Sequence, residues 1–532
     1  MRKLFATAAV AAALALSAPP QAVLAATPPD MLVVAQNIDD IVSLDPAQAY
    51  EFTSGEIVTN LYDRLVQYDA EDTETLVGGV AEDWTVSEDG RTITFTLRDG
   101  VTFHSGNPLR PEDVVFSFSR VVELNKAPAF ILTQLGWTPE NVRDMVRVAG
   151  PNQVAVSFEG DFSPAFVLNV LAARPGSIVD EKTVMANERD GDLGNAWLNA
   201  NSAGTGPFRL RAYRPNELLT MDANPDYFKG APAMRTVAIR HVAEPATQRL
   251  LLEAGDADLA RNLTPDQIAG LEGRDGIRIE TYPQAAVHFL SFNQKTEALT
   301  PPAVWEAARH LVDYEGMANS FLRGQMQVHQ AFWPKGFPGA LTGTPYAYDP
   351  EKARRILAEA GVETPIRVTL DVIGSPPFTD IAQALQASFA GAGINFEIVP
   401  GTGSQVITKY RARNHEAMLL YWGPDFMDPH SNAKAFAYNA DNSDASYQST
   451  TTWRNAWAVP DEMNAMTMAA LAEKDEEKRR ETYLELQRRV QASSPIVVMF
   501  QAVSQGAMRD GVEGFVNGTT SDFVFYRLVT KE

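Results

Sequence analysis

Cysteine is absent from this chain, which excludes disulfides, thiolate metal ligands and a lipid carried on an N-terminal cysteine. Histidine is scarce: seven are scattered at 104, 241, 288, 310, 329, 415 and 430. No H-E-x-x-H, G-x-S-x-G or G-x-x-x-x-G-K-[ST] run occurs, so the common hydrolase and nucleotide signatures are missing. The GTG triplets at 204 and 401 lack the third glycine of a dinucleotide site and read as turns. Excess positive charge is lacking too. The formal charge is -22, which argues against nucleic acid or an anionic membrane surface as partner and keeps the exterior soluble.

The one long uncharged apolar stretch is at the N-terminus. Met1, Arg2 and Lys3 are followed by apolar and small residues from Leu4 to Ala18, and Val23-Leu24-Ala25 offers small residues where a signal peptidase cuts. About 15 such residues fall short of the roughly 20 needed to span a bilayer. Residues 1–25 are therefore expected to be a cleavable signal, leaving a free periplasmic protein. About 500 mature residues exceed what a single core of roughly 250 to 300 holds, so two or more lobes are required.

Periodicity gives the elements. In the stretch 81–122, Ile93, Phe95 and Leu97 alternate with Thr94, Thr96 and Arg98, the pattern of a half-buried strand. Ser87-Glu88-Asp89-Gly90 and Asp99-Gly100 supply turn chemistry, and Val101 and Phe103 resume the alternation. Pro111, Glu112 and Asp113 open a predicted helix through Phe118. Met31 to Ala35 and Val237 to His241 read as strands, and 245–254 as a helix stopped by Gly255. Asp349 caps and Pro350 starts another helix, ending at Gly361; strands at 366–370 and 394–398 flank a helix through Ile381, Leu385 and Phe389. Such strand and helix alternation indicates α/β lobes. His104, at a strand end, reads as structural, and the charged run 473–480 as a solvated helix face.

The stretch 81–122 closely resembles the signature of the family 5 solute-binding proteins of ABC importers, which contains dipeptide, oligopeptide and nickel binders. Further blocks follow in the family's order: SLDPAQAY (43–50), NLYDRLVQYD (60–69), GTGPFRL (204–210), NPDYFKGAP (224–232), LLEAGDADLA (251–260), YDPEKARRILAEAG (348–361) and WGPDFMDP (422–429). The resemblance implies the two-lobed periplasmic-binding-protein fold (type II, cluster C) with an accessory lobe. Lobe I would comprise 27–75, 202–286 and 502–532, the accessory lobe 76–201, and the second ligand-facing lobe, lobe III, 287–501. It implies a binder, not an enzyme, that captures peptides between two lobes and presents them to a permease with its cytoplasmic ATPase. A monomer without cofactor or metal is expected.

The segment 419–432, LLYWGPDFMDPHSN, delivers Tyr421, Trp422, Asp425, Phe426, Asp428 and His430 into a Gly-Pro loop at a strand end. By resemblance, Asp425 occupies the place of the aspartate that accepts a peptide's ammonium group. Tyr421, Trp422 and Phe426 are candidates to contact the ligand or shield that pair, and Trp333, in QAFWPKGFPG, to reach the same cleft. Asp428 reads as a turn cap. Grouping 425, 428 and 430 makes only a weak metal signal. One departure stands out: the stretch 372–380, VIGSPPFTD, lacks the arginine that dipeptide binders use there for the ligand carboxylate. Arg411 and Arg413 are candidate substitutes. The missing arginine keeps alternatives open: longer or modified peptides, or a nickel chelate, glycoside, opine-like conjugate or haem. A secreted hydrolase with an unfamiliar site is the alternative from another class.

Overall fold

The computed structural model describes residues 27–73, 75–374, 376–401, 403–446 and 450–532; the expected signal, 1–25, lies outside them. Its centre is an eleven-stranded mixed sheet. In the first half, Met31–Gln36 pairs in parallel with Thr236–His241 and Leu259–Ala260, and Leu218–Ala223 and Phe208–Arg214 extend the edge antiparallel. In the second half, Ile366–Ile373 lies between Ile394–Gly401 and Ala417–Trp422, parallel to both. Two long antiparallel strands, Ile277–Phe292 and Ile496–Arg509, run through both halves and join them. Their pairing slips between Pro283 and Val287, the place where the ladder passes from one half to the other.

A separate four-stranded antiparallel sheet, ordered Ala81–Val86, Thr92–Leu97, Gln153–Ser157, Val146–Gly150, forms the core of the third unit. Ile93, Phe95 and Leu97 are buried while their neighbours are half-buried, so the sequence alternation has become two faces of a sheet. The helix Pro111–Leu124 covers the buried face, stacking Phe118 on Trp137 at 5.8 Å. A buried ion pair ties this helix to the first half: Arg120 donates to both carboxylate oxygens of Asp45, at 2.7 and 2.6 Å. Val101 and Phe103 do not form a strand. Their side chains are buried, but the backbone makes only the isolated bridge between Thr102 and Pro108; side-chain alternation there reports burial without a ladder.

Asp349 caps the helix Pro350–Glu359 through the backbone N–H of Lys352 at 2.9 Å, and Gly255 closes Pro245–Ala254 in the left-handed region at φ 79°. His104 is structural: half-buried at the turn, it contacts the Gly206 carbonyl at 3.0 Å, and desolvation lowers its pKa to about 4. The charged run departs from expectation at one residue. Arg479 turns inward from the helix Glu476–Ser493, its side chain only 8% exposed, to meet Asp428 at 2.6 Å.

Candidate functional site: a crevice between the sheet halves

The strand Ala417–Trp422 is buried for its first four residues and emerges at Tyr421, which is 46% exposed. Its neighbour Ile277–Phe292 pairs Tyr421 with His288, and the Tyr421 ring stacks on that imidazole at 5.7 Å and tilts against Phe378 at 5.9 Å. The chain then turns through 423–428 into the helix Pro429–Ala437. Asp428 caps that helix, accepting from the His430 N–H at 2.9 Å, and is itself fully buried. This is the turn-cap role its place before Pro429 suggested, with the Arg479 ion pair added.

Asp425 is anchored by its backbone, whose N–H donates to Ser431 Oγ at 2.9 Å. Its carboxylate opens on the crevice, where Oδ1 accepts a 3.3 Å bond from the hydroxyl of Tyr50. Tyr50 belongs to the first half, so this contact spans the crevice. Protein surrounds the carboxyl on most sides even though solvent reaches it, and that desolvation raises its pKa; the Tyr50 bond and the Arg454 charge oppose the rise. Tyr50 is pushed up to about 12, first by the desolvation of its hydroxyl in this contact and then by the Asp425 charge. At 3.3 Å the bond is long for O–H···O. An ammonium group would be a stronger, charge-assisted donor to the same oxygen.

The aromatic candidates divide. Trp422 is half-buried, its ring edge-on to Phe436 at 6.3 Å, with the Arg454 guanidinium 5.7 Å from its centroid and no hydrogen-bond partner for its Nε1 among the described residues. Phe426 is buried against Phe166 of the four-stranded unit at 5.5 Å. Trp333 is a correction: it is 0% exposed, tilts on Phe337 at 5.0 Å and donates its Nε1 proton to the Pro338 carbonyl at 3.0 Å. With its ring enclosed and its only donor satisfied, it is a core residue and presents no surface to a solute. Asp425, Asp428 and His430 also go separate ways, to Tyr50, to Arg479 and to the Tyr483 hydroxyl at 3.1 Å.

The two basic substitutes differ. Arg413 is held by Asn442 and Asp444 and stacked on Trp453 at 4.5 Å, and Arg411 stands exposed at the end of Gly403–Arg411. Just before the stretch 372–380, the strand Ile366–Ile373 carries the buried Asp371, paired with Lys409 at 2.6 Å.

The first half carries a cavity of its own that the sequence did not reveal. A cavity of about 190 Å³ lies at the carboxyl ends of Met31–Gln36 and Leu259–Ala260, lined by Gln36, Phe52, Glu56, Arg261, Tyr282 and Asn517 among others. Carboxyl ends of strands are where open α/β sheets bind ligands. Arg261 pairs with Glu56 at 2.5 Å, donates to Asn517 at 2.9 Å and lies over Phe515 at 5.5 Å. These residues come from segments far apart in sequence and form no motif. For Tyr50 a signal existed, since it closes the SLDPAQAY block.

Two sheet halves joined by a pair of long strands, with a polar crevice between them and a third unit alongside, define the two-lobed periplasmic-binding-protein class. The model of the bacterial extracellular solute-binding proteins, family 5 (middle region), matches residues 75–444, and the chain belongs to that family. It is 28% identical to the probable D,D-dipeptide-binding periplasmic protein DdpA of Escherichia coli K12, over 94% of each chain. It is 26% identical to a dipeptide-binding protein of Pseudomonas aeruginosa, over 91% of this chain and 92% of the other. Among solved structures, HbpA2 of Haemophilus parasuis superposes with a TM-score of 0.81 at 22% identity, over 94% of this chain and all of the other.

Proposed function

We propose that this protein captures short peptides in the periplasm for an ABC importer, and that Asp425 receives the peptide's ammonium terminus. The observation that carries the reading is the Asp425 carboxylate: exposed to the crevice, partly desolvated by surrounding protein and, among the described residues, held by a long bond from Tyr50 across it. A carboxylate partly desolvated by surrounding protein gains from a cation, and an ammonium group supplies one. The relatives named for dipeptide binding support the substrate class.

In this reading, residues 27–75, 202–286 and 502–532 form lobe I, 76–201 the accessory lobe and 287–501 lobe III. Residues 1–25 direct export, and no helix among the described residues is long and apolar enough to cross a membrane. The protein transfers no chemical group; contacts from both lobes favour the closed state, which the permease then reads. Tyr421 and Trp422 border the ligand, while Phe426 keeps water from the ion pair.

The test replaces Asp425 with Asn and compares a peptide bearing a free amino terminus with its N-acetyl twin. Losing one member of a desolvated ion pair costs about 2 kcal/mol or more, at least roughly thirtyfold in affinity. The free-amino peptide should lose that much and the acetylated one almost nothing. Equal losses for both would remove Asp425 from this role.

A further inference from the structure

A second cavity, of about 460 Å³, lies outside the crevice, where the four-stranded unit meets the second sheet half. Tyr68, Leu76, Trp84, Leu168, Met427 and Tyr483 form its largely apolar and aromatic wall. It backs onto the binding loop: Asp425 bonds Tyr50 across the crevice, whereas Met427, two residues on, lines this cavity. The space is not a gap awaiting closure, because its two sides already touch around it. The Ser163 N–H donates to the Leu471 carbonyl at 2.8 Å, Phe166 packs edge-on against Phe426 and His430, and Asn169 donates to Asp428 at 3.2 Å while accepting from the Tyr68 hydroxyl at 2.6 Å.

Of the charges beside the cavity, Arg479 is in a buried pair, whereas Arg480, Glu477 and Glu476 stand at its exposed rim. Arg479 is committed to Asp428 and to the Ala470 carbonyl, and Arg480 to Glu477 at 2.5 Å. An anion would have to break the buried Arg479–Asp428 pair or sit beside the Glu476 and Glu477 carboxylates, and a cation would lose its hydration against mainly apolar walls, whereas an uncharged occupant does neither. A cavity of this size with mainly apolar walls and a few convergent polar groups is what small-molecule sites are made of. We infer that this cavity is a second binding site, separate from the peptide crevice, for a small uncharged aromatic molecule that contacts both units at once. Because the occupant bridges the two units, it favours their docked arrangement over any in which they separate.

Indole is the probe, and saturation-transfer NMR on the whole protein is the readout. The wild type should transfer saturation to indole. It should bind benzoate, of similar size but charged, at least about tenfold more weakly, because the anion would have to break the Arg479–Asp428 pair or sit beside the Glu476 and Glu477 carboxylates. Leu168→Trp and the half-buried Leu76→Trp each fill the cavity from its wall, and each should weaken indole at least about tenfold while peptide capture is retained. Leu76 is only partly buried, so its variant keeps the test usable if Leu168→Trp fails to fold. Absence of transfer from the wild type, or unchanged indole affinity in folded Leu76→Trp, would overturn the site. Benzoate binding as tightly as indole would overturn the assignment of an uncharged ligand. Peptide capture is scored separately, so failure here leaves the Asp425 reading standing, and the converse holds.

Discussion

At the scale of single residues, Asp425 and Asp428 show how the same side chain, three positions apart, takes opposite roles. Asp428 is buried with its partners supplied: a helix N-terminus, Asn169 and Arg479. Among the described residues, the Asp425 carboxylate has the long Tyr50 bond and faces the crevice. Its raised pKa yields a prediction with a definite sign. As pH falls through that raised value, the carboxylate is protonated and its attraction for an ammonium group is lost, so affinity should fall at a pH above the ordinary carboxylate range. A bound cation pulls the pKa back down, so proton release should accompany binding near that pH. Calorimetry in buffers of different ionisation enthalpy reads this directly, and proton uptake or a flat profile would contradict it. Arg120 offers a structural counterpart. Arg120→Leu strands the fully buried Asp45, and urea unfolding should show a loss of about 3–5 kcal/mol.

Among elements, legibility followed how local the physics is. The strand Thr92–Leu97 and the helices at Pro111, Pro245 and Pro350 were readable because alternation, caps and first-turn prolines act within a few residues. Val101 and Phe103 misled because a strand needs a neighbour, which local sequence does not supply. Trp333 misled for a related reason: an aromatic in a Gly-Pro loop looks available until Phe337 and Pro338 enclose it. Arg479 was hidden in a charged run because its partner, Asp428, lies far off in sequence. The cap at Asp349 gives a prediction of local size. Asp349→Ala removes the bond to the Lys352 N–H and should cost about 1 kcal/mol, seen as a small fall in melting temperature with peptide affinity unchanged.

For the whole molecule, the two long strands Ile277–Phe292 and Ile496–Arg509 join halves that otherwise have separate sheets. A solute touching both halves makes more contacts when they close, so it shifts the population toward the closed form. Family order in the sequence blocks revealed this architecture, while the first-half cavity at Glu56 and Arg261 appeared only when the chain's distant segments were brought together. The central claim is capture of peptides through a free amino terminus. The most direct measurement is native mass spectrometry of protein unfolded, stripped of ligand and refolded, then mixed with an equimolar library of di- to pentapeptides and their N-acetyl twins. The account predicts one-to-one complexes populated by free-amino members; no complexes, or equal capture of the acetylated twins, would contradict it.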